Sequence, residues 1–172
     1  MKQLENVRVL TTVALLVAIG IVLGFFKIPL SDQIQIYFTS IPVAITGFLF
    51  GPMVGFVSGI LVDLGSFLVK PTGAFFPGFT LTVGLNGLIY GYVLWKKQGK
   101  WVEVGIAQLG VSIVSNWFGN SINLMIMYGT PLWTLLMARL PKEIIMFPIH
   151  AFMIYLAIQA IKKTKIKGLV HE

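Results

Sequence analysis

The sequence contains no cysteine, which removes disulfides, thiolate metal sites and cysteine nucleophiles from its chemistry. Histidine is nearly absent too. With only two, His150 and His171, a bis-histidine haem or a metal cluster is hard to build, and no metal or cofactor is expected. Only 11% of residues are charged, against about 25% in a soluble domain, so there is too little polar surface to coat a water-soluble globule. Acids are the scarcer sign: six Asp and Glu face thirteen Lys and Arg, for a net charge of +7. In a soluble protein that excess would suggest nucleic-acid binding. No Gly-rich phosphate loop of the Walker type occurs, so ATP hydrolysis by that route is excluded.

What is present is apolar. Hydrophobic residues make up 56% of the 172 positions and the mean hydropathy is +0.87, the signature of a membrane protein. A helical span takes about 20 apolar residues, so six spans use up the chain as a single transmembrane domain, 1–172, with no soluble domain beside it. Residues 7–26 read as the first span, too long for the apolar core of a secretory signal peptide. The polar run Ser31, Asp32, Gln33, Gln35 reads as a loop, and 37–50 as a short second span broken near Pro42. Gly51 and Pro52 mark a turn before a third span, 53–69, which carries Gly55 and Gly59 on one face. The fourth, fifth and sixth spans are expected at 78–95, 102–127 and 142–161. The fold class expected is all-α, a six-helix polytopic bundle.

Six spans place both termini on one side. That side holds Lys2, Arg8, Lys96, Lys97, Lys100, Lys162, Lys163, Lys165 and Lys167, against Lys27, Lys70, Arg139 and Lys142 on the other. The positive-inside bias therefore makes both ends cytoplasmic, and most of the net charge is a topology signal rather than a nucleic-acid footprint. Each outer loop nevertheless carries a cation. Any one of them can be a lysine or arginine snorkelling to lipid headgroups; all converging on one cup would favour an anionic ligand from outside.

No catalytic constellation emerges, and an enzyme is not expected. His150 stands without a histidine partner at helical spacing and reads as structural. Asp63 lies in the third span, where a carboxylate is a functional candidate, although a neighbouring amide or cation can satisfy it. The fifth span carries Ser112, Ser115, Asn116, Asn120 and Asn123 at spacings of three and four, which puts them on about one helical face beside Trp117. Small polar packing between helices accounts for the serines. Three asparagines beside a tryptophan suit a flat hydrogen-bonding ring, read at its edge by amides and stacked on an aromatic face. The fourth span adds Thr80, Thr82 and Asn86. In the first span Ala14 and Ala18, and separately Gly20 and Gly24, lie four apart, a spacing that serves internal packing or a partner equally.

Together these residues resemble the substrate-binding S components of energy-coupling factor transporters, the vitamin importers of bacteria and archaea. The matching features are the size, the six spans, Ala14 and Ala18, Phe50-Gly51-Pro52, and the loop Pro71-Thr72-Gly73 with Phe76-Pro77-Gly78-Phe79-Thr80-Leu81. Gly87-Leu88-Ile89-Tyr90-Gly91 and Arg139-Leu140-Pro141-Lys142 leading into Met146-Phe147-Pro148-Ile149 are similar to the folate-specific branch. Branches for pantothenate and hydroxymethylpyrimidine share the frame.

The resemblance implies a high-affinity binding subunit of the bacterial plasma membrane with no ATPase of its own. Its partners would be a transmembrane coupling protein and two cytoplasmic ATPases. It also implies a ligand held among spans four to six and the outer loops, and a coupling surface on spans one to three at Ala14 and Ala18; Val22 departs from the family's third small position. For folate, the substrate-binding candidates are Arg139, Lys142 and Lys70 as cations, Asn86, Asn116, Asn120 and Asn123 as amides, Thr72 in the loop, and Phe76, Phe79 and Trp117 as aromatic faces. Arg139 leads because its planar fork can grip a carboxylate bidentately. Two rivals differ in class: a stand-alone proton-driven transporter using Asp63, and an intramembrane enzyme or assembly factor.

Overall fold

A computed structural model describes residues 7–26, 28–31, 34–36, 38–71 and 74–163. Among these, six helical rods follow one another. They are α1 (Val7–Gly24), α2 (Ser40–Phe50), α3 (Pro52–Val69), α4 (Pro77–Leu94), α5 (residues 101–128) and α6 (Leu132–Lys163). By length and composition, α1, α3 and α6 are apolar enough to cross a membrane. A two-stranded antiparallel hairpin, β1 (Ile28–Ser31) with β2 (Ile34–Ile36), joins α1 to α2 and pairs Ile28 with Ile36. The sequence reading took this stretch as a loop. Strands of three or four residues containing a proline lie below what an alternation pattern can reveal.

Backbone contacts between glycines set the α2–α3–α4 packing. A Cβ at Gly59 would come within 2.5 Å of Val83 O, and one at Gly47 within 2.7 Å of Gly91 N. Gly55 and Gly87 face each other in the same manner, so α3 and α4 touch backbone to backbone, as small residues in membrane helices allow. Pro42 sits in the first turn of α2 rather than breaking it, where its missing N–H costs nothing. The apolar core, including Ala44, Phe48, Leu94, Val104, Ile154 and Ile158, lies towards one end of the bundle.

That end is also the basic one. The 95–100 connection carries Lys96, Lys97 and Lys100, and Lys162 of α6 donates to Gln98 O at 2.6 Å while Gln159 donates to Gly99 O at 3.3 Å. Gly24, closing α1, packs on Ser66 and Thr39 at the opposite end, so α1 begins and α6 ends at the basic end.

The largest departure from expectation is in α6. Its start at Leu132 precedes the expected residue 142, and the helix runs 32 residues through Pro141 and Pro148. Arg139 and Lys142 therefore belong to a helix and not to an outer loop. Proline inside a membrane helix is tolerated because neighbouring groups re-satisfy the carbonyls it frees, so Pro141 is a poor helix boundary here.

Candidate functional site

Most of the buried polar side chains among the described residues lie where α4, α5 and α6 meet. Two cross-helix bonds fix how α4 and α5 align: Asn123 Nδ2 donates to Thr82 Oγ1 at 2.9 Å, and Tyr90 OH donates to Gln108 Oε1 at 2.5 Å. Because the two helices run antiparallel, Asn86, midway between Thr82 and Tyr90, lies at the level of Ser115 and Asn116. The α5–α6 alignment is fixed by Trp117, whose indole N–H donates to Leu136 O at 2.9 Å.

At that shared level α5 is not an α-helix. Trp101–Gly110 passes into a π-helical segment, Val111–Gly119, before α-helix resumes at Asn120–Tyr128. The Asn120 N–H bonds to Ser115 O, five residues back. Wide turns of this kind are rare and concentrate at functional sites. They also spread side chains differently from the regular spacing assumed from the sequence: Ser112 and Ser115 are buried, whereas Asn116 and Asn120 are half-buried.

The level contains buried charge. Arg139 is 4% exposed and Glu143, one turn further along α6, is 8% exposed. Lys142 beside them is half-buried. Arg139 and Lys142 both act electrostatically on the Glu143 carboxylate, and Asn116 and Ser112 lie within hydrogen-bonding reach of it. Gln108 Nε2 donates to Ser112 Oγ at 3.2 Å, so a buried polar chain runs from Tyr90 through Gln108 and Ser112 to Glu143. Two cations and one acid leave this level with one net positive charge. Two further polar atoms, Asn86 Oδ1 and Ser115 Oγ, are buried with no hydrogen-bond partner.

Above this level, away from the basic end, lies a lid of mixed character. Phe76 and Phe79 meet edge to face at 5.9 Å, and Gly78 packs against both Asn123 and Phe76. Below it, Tyr90 and Gln108 form a floor over the apolar core.

The structure thus brings together Arg139, Lys142, Asn86 and Asn116. Asn123 is committed to Thr82, and Trp117 spends its only polar group on the α6 backbone, which makes both struts between helices. Asn120 is half-buried near the lid. Lys70 is exposed at the end of α3. Thr72 and Lys27 lie outside the described residues. Glu143 was missed by sequence reasoning; the signal was its spacing of four from Arg139, hidden by the assignment of Arg139 to a loop. Asp63 accepts from Thr80 Oγ1 at 2.7 Å, which ties α3 to α4. His150 is buried edge to face with Phe38 at 6.4 Å.

Ala14 and Ala18 are exposed on α1, whereas Gly20 and Gly24 turn inward against Val62, Pro42 and Ser66. The two small-residue pairs, equivalent in sequence, serve opposite faces.

Comparison with known proteins places this architecture. The family model for the substrate-specific component of ECF transporters matches residues 8–158. The chain belongs to that family. It is 34% identical over 167 residues to the folate transporter FolT of Clostridium novyi (strain NT), covering 97% of each chain. It is 30% identical to the folate transporter FolT of Leuconostoc mesenteroides, covering 87% of this chain and 84% of that one. Among solved structures, FolT bound with folic acid superposes with a TM-score of 0.80 at 33% identity, over 87% of this chain and 92% of that one. An S component for biotin superposes with a TM-score of 0.69 at 21% identity over the full length of both chains, which shows the shared fold of these substrate-specific components.

Proposed function

We infer that this chain is the folate-binding membrane subunit of an ECF-type importer. Relatives that match it almost end to end are folate transporters, and a protein of the same fold at 33% identity binds folic acid. The observation in the molecule itself that carries the reading is the buried level of α4–α6, where two cations, a cluster of amides and unpartnered acceptors face one another. Folate joins a flat pterin to a glutamate with two carboxylates. An amide-lined level suits the pterin edge, an excess of cations suits an anionic ligand, and the edge-to-face pair Phe76 and Phe79 offers aromatic surface beside it.

In this reading Arg139, Lys142, Asn86 and Asn116 form the inner site. Lys70, Phe76, Phe79, Asn120, Asn123 and Trp117 form its rim and its struts. The basic end faces the cytoplasm, consistent with the positive-inside bias, so both termini are cytoplasmic in a bacterial plasma membrane and the lid faces outward. The exposed Ala14–Ala18 face of α1 docks the transmembrane coupling subunit, and two ATPase subunits supply the energy.

Reconstitution tests this division of labour. Vesicles holding the chain with its coupling and ATPase subunits should take up labelled folic acid only with ATP, and vesicles holding the chain alone should take up none. Uptake by the chain alone, driven by a proton gradient and abolished in Asp63→Asn, would replace this reading with that of a secondary transporter.

A further inference from the structure

Glu143 is unexplained by a site that only attracts an anion. A carboxylate at 8% exposure in the same level as Arg139 and Lys142 repels the carboxylates of an acidic ligand and cancels part of the attraction. Burying an acid is costly even when it is paired. The group most consistent with its position is one that carries hydrogen-bond donors.

Three further observations give that position a direction. Asn116 and Ser112 lie near the Glu143 carboxylate, and Ser112 is linked through Gln108 to the fully buried Tyr90. Asn86 Oδ1, 6% exposed as a residue, is an acceptor with no donor. Ser115 Oγ, wholly buried, likewise has no partner. Buried polar atoms in native structures are almost always paired, so two unpaired atoms at one level of two facing helices mark where a ligand's polar edge completes them. A carboxylate offers two acceptor oxygens side by side, and it meets in bidentate fashion any planar group with two parallel N–H donors.

The folate reading supplies such a group, and the inference rests on that reading. The pterin ring carries an exocyclic 2-amino group beside a ring N3–H, two parallel donors, and a neighbouring carbonyl at position 4 that accepts. We propose that Glu143 is the specificity-determining residue for the pterin end of the ligand, its carboxylate accepting the paired 2-amino and N3–H donors while Asn86 and Ser115 complete the ring edge. The ligand then lies with its pterin innermost and its glutamate carboxylates towards the lid. Arg139 and Lys142 act electrostatically on the Glu143 carboxylate and offer further donors for the acceptor atoms of the ligand.

The experiment is a binding titration of the purified full chain with folic acid and with 2-desamino-folic acid, in which hydrogen replaces the 2-amino group, on wild type and Glu143→Gln. Wild type should prefer folic acid by at least tenfold. Glu143→Gln should weaken folic acid by at least tenfold and lose most of that preference, because both changes remove the same contact. Equal affinity of wild type for the two compounds overturns the proposal without involving any variant. Equal loss for both compounds in Glu143→Gln also overturns it, since that is the behaviour of a structural counter-ion. Should Glu143→Gln fail to fold, Glu143→Asp keeps the charge and shortens the reach, and an undiminished preference in that variant overturns the proposal. In each of these failures folic acid still binds wild type; absence of any folic acid binding would instead bring down the functional reading itself.

Discussion

The α1–α3 half and the α4–α6 half of this bundle differ in how many of their polar groups reach across to another helix. In the first half, hydroxyls bond within their own helix: Thr46 to Pro42 O at 2.8 Å, Ser58 to Gly55 O at 2.8 Å and Ser66 to Val62 O at 2.6 Å. These groups ask nothing of a neighbouring helix, and glycine contacts bring the backbones together. In the second half, polar groups reach across: Tyr90 to Gln108, Asn123 to Thr82 and Trp117 to Leu136. Two polar atoms there remain unsatisfied and buried charge is concentrated there. This contrast is what the proposed function reads as a scaffold on the first side and a ligand site on the second.

The strongest way to break that contrast is to unbalance the charges. Arg139→Ala leaves the Glu143 carboxylate buried with less compensation, and removing one partner of a buried ion pair costs about 3–5 kcal/mol. Thermal unfolding in detergent should register that loss, and a folic acid titration of the folded fraction should weaken by more than tenfold. Adding Glu143→Ala should restore part of the stability but not the binding. A folded Arg139→Ala protein with wild-type affinity would remove Arg139 from the site.

The scaffold half should fail differently. Gly55→Ala drives a Cβ into the Gly87 backbone, and overpacking of this kind costs about 1–3 kcal/mol. The melting temperature should fall while folic acid affinity in the folded fraction changes little. A smaller effect is expected at a strut: Trp117→Phe removes one hydrogen bond to α6, worth about 0.5–1.5 kcal/mol, seen as a modest drop in melting temperature.

The smallest effect on the isolated chain belongs to the exposed α1 face. Ala14→Trp with Ala18→Trp should leave stability within about 0.5 kcal/mol of wild type, as surface substitutions usually do, and leave ligand binding intact. Assembly with the coupling subunit, followed by co-purification, should nevertheless be lost. Survival of the complex with both tryptophans would move the docking surface elsewhere.

Where the sequence was informative, it was so because membrane helices announce themselves by apolar length and their ends by Gly and Pro. Gly51-Pro52 divides α2 from α3 where expected, and α1, α3 and α4 begin and end within two residues of the reading. The asparagines and serines of α5 stood out in the sequence, but their geometry was not legible, because nothing in a one-dimensional pattern signals a π-helical segment. Pro141 misled for a physical reason: its propensity to end a helix is a rule of water-exposed chains, and bundle packing overrides it. That single error placed Arg139 in a loop, hid its spacing to Glu143, and made the inner site look like a cationic cup rather than a charged, hydrogen-bonding level. The outward turn of Ala14 and Ala18 against the inward turn of Gly20 and Gly24 was likewise undecidable until the partners of α1 were known.

The central claim is that α4–α6 close around a pterin-bearing acid with no help from other subunits. Calorimetric titration of the purified chain alone with folic acid, pantothenate and hydroxymethylpyrimidine tests it most directly. Saturable one-to-one binding of folic acid, exceeding binding of the other two by at least a hundredfold, is the expected result. Tighter binding of either alternative, or no folic acid binding by a correctly folded chain, would contradict it.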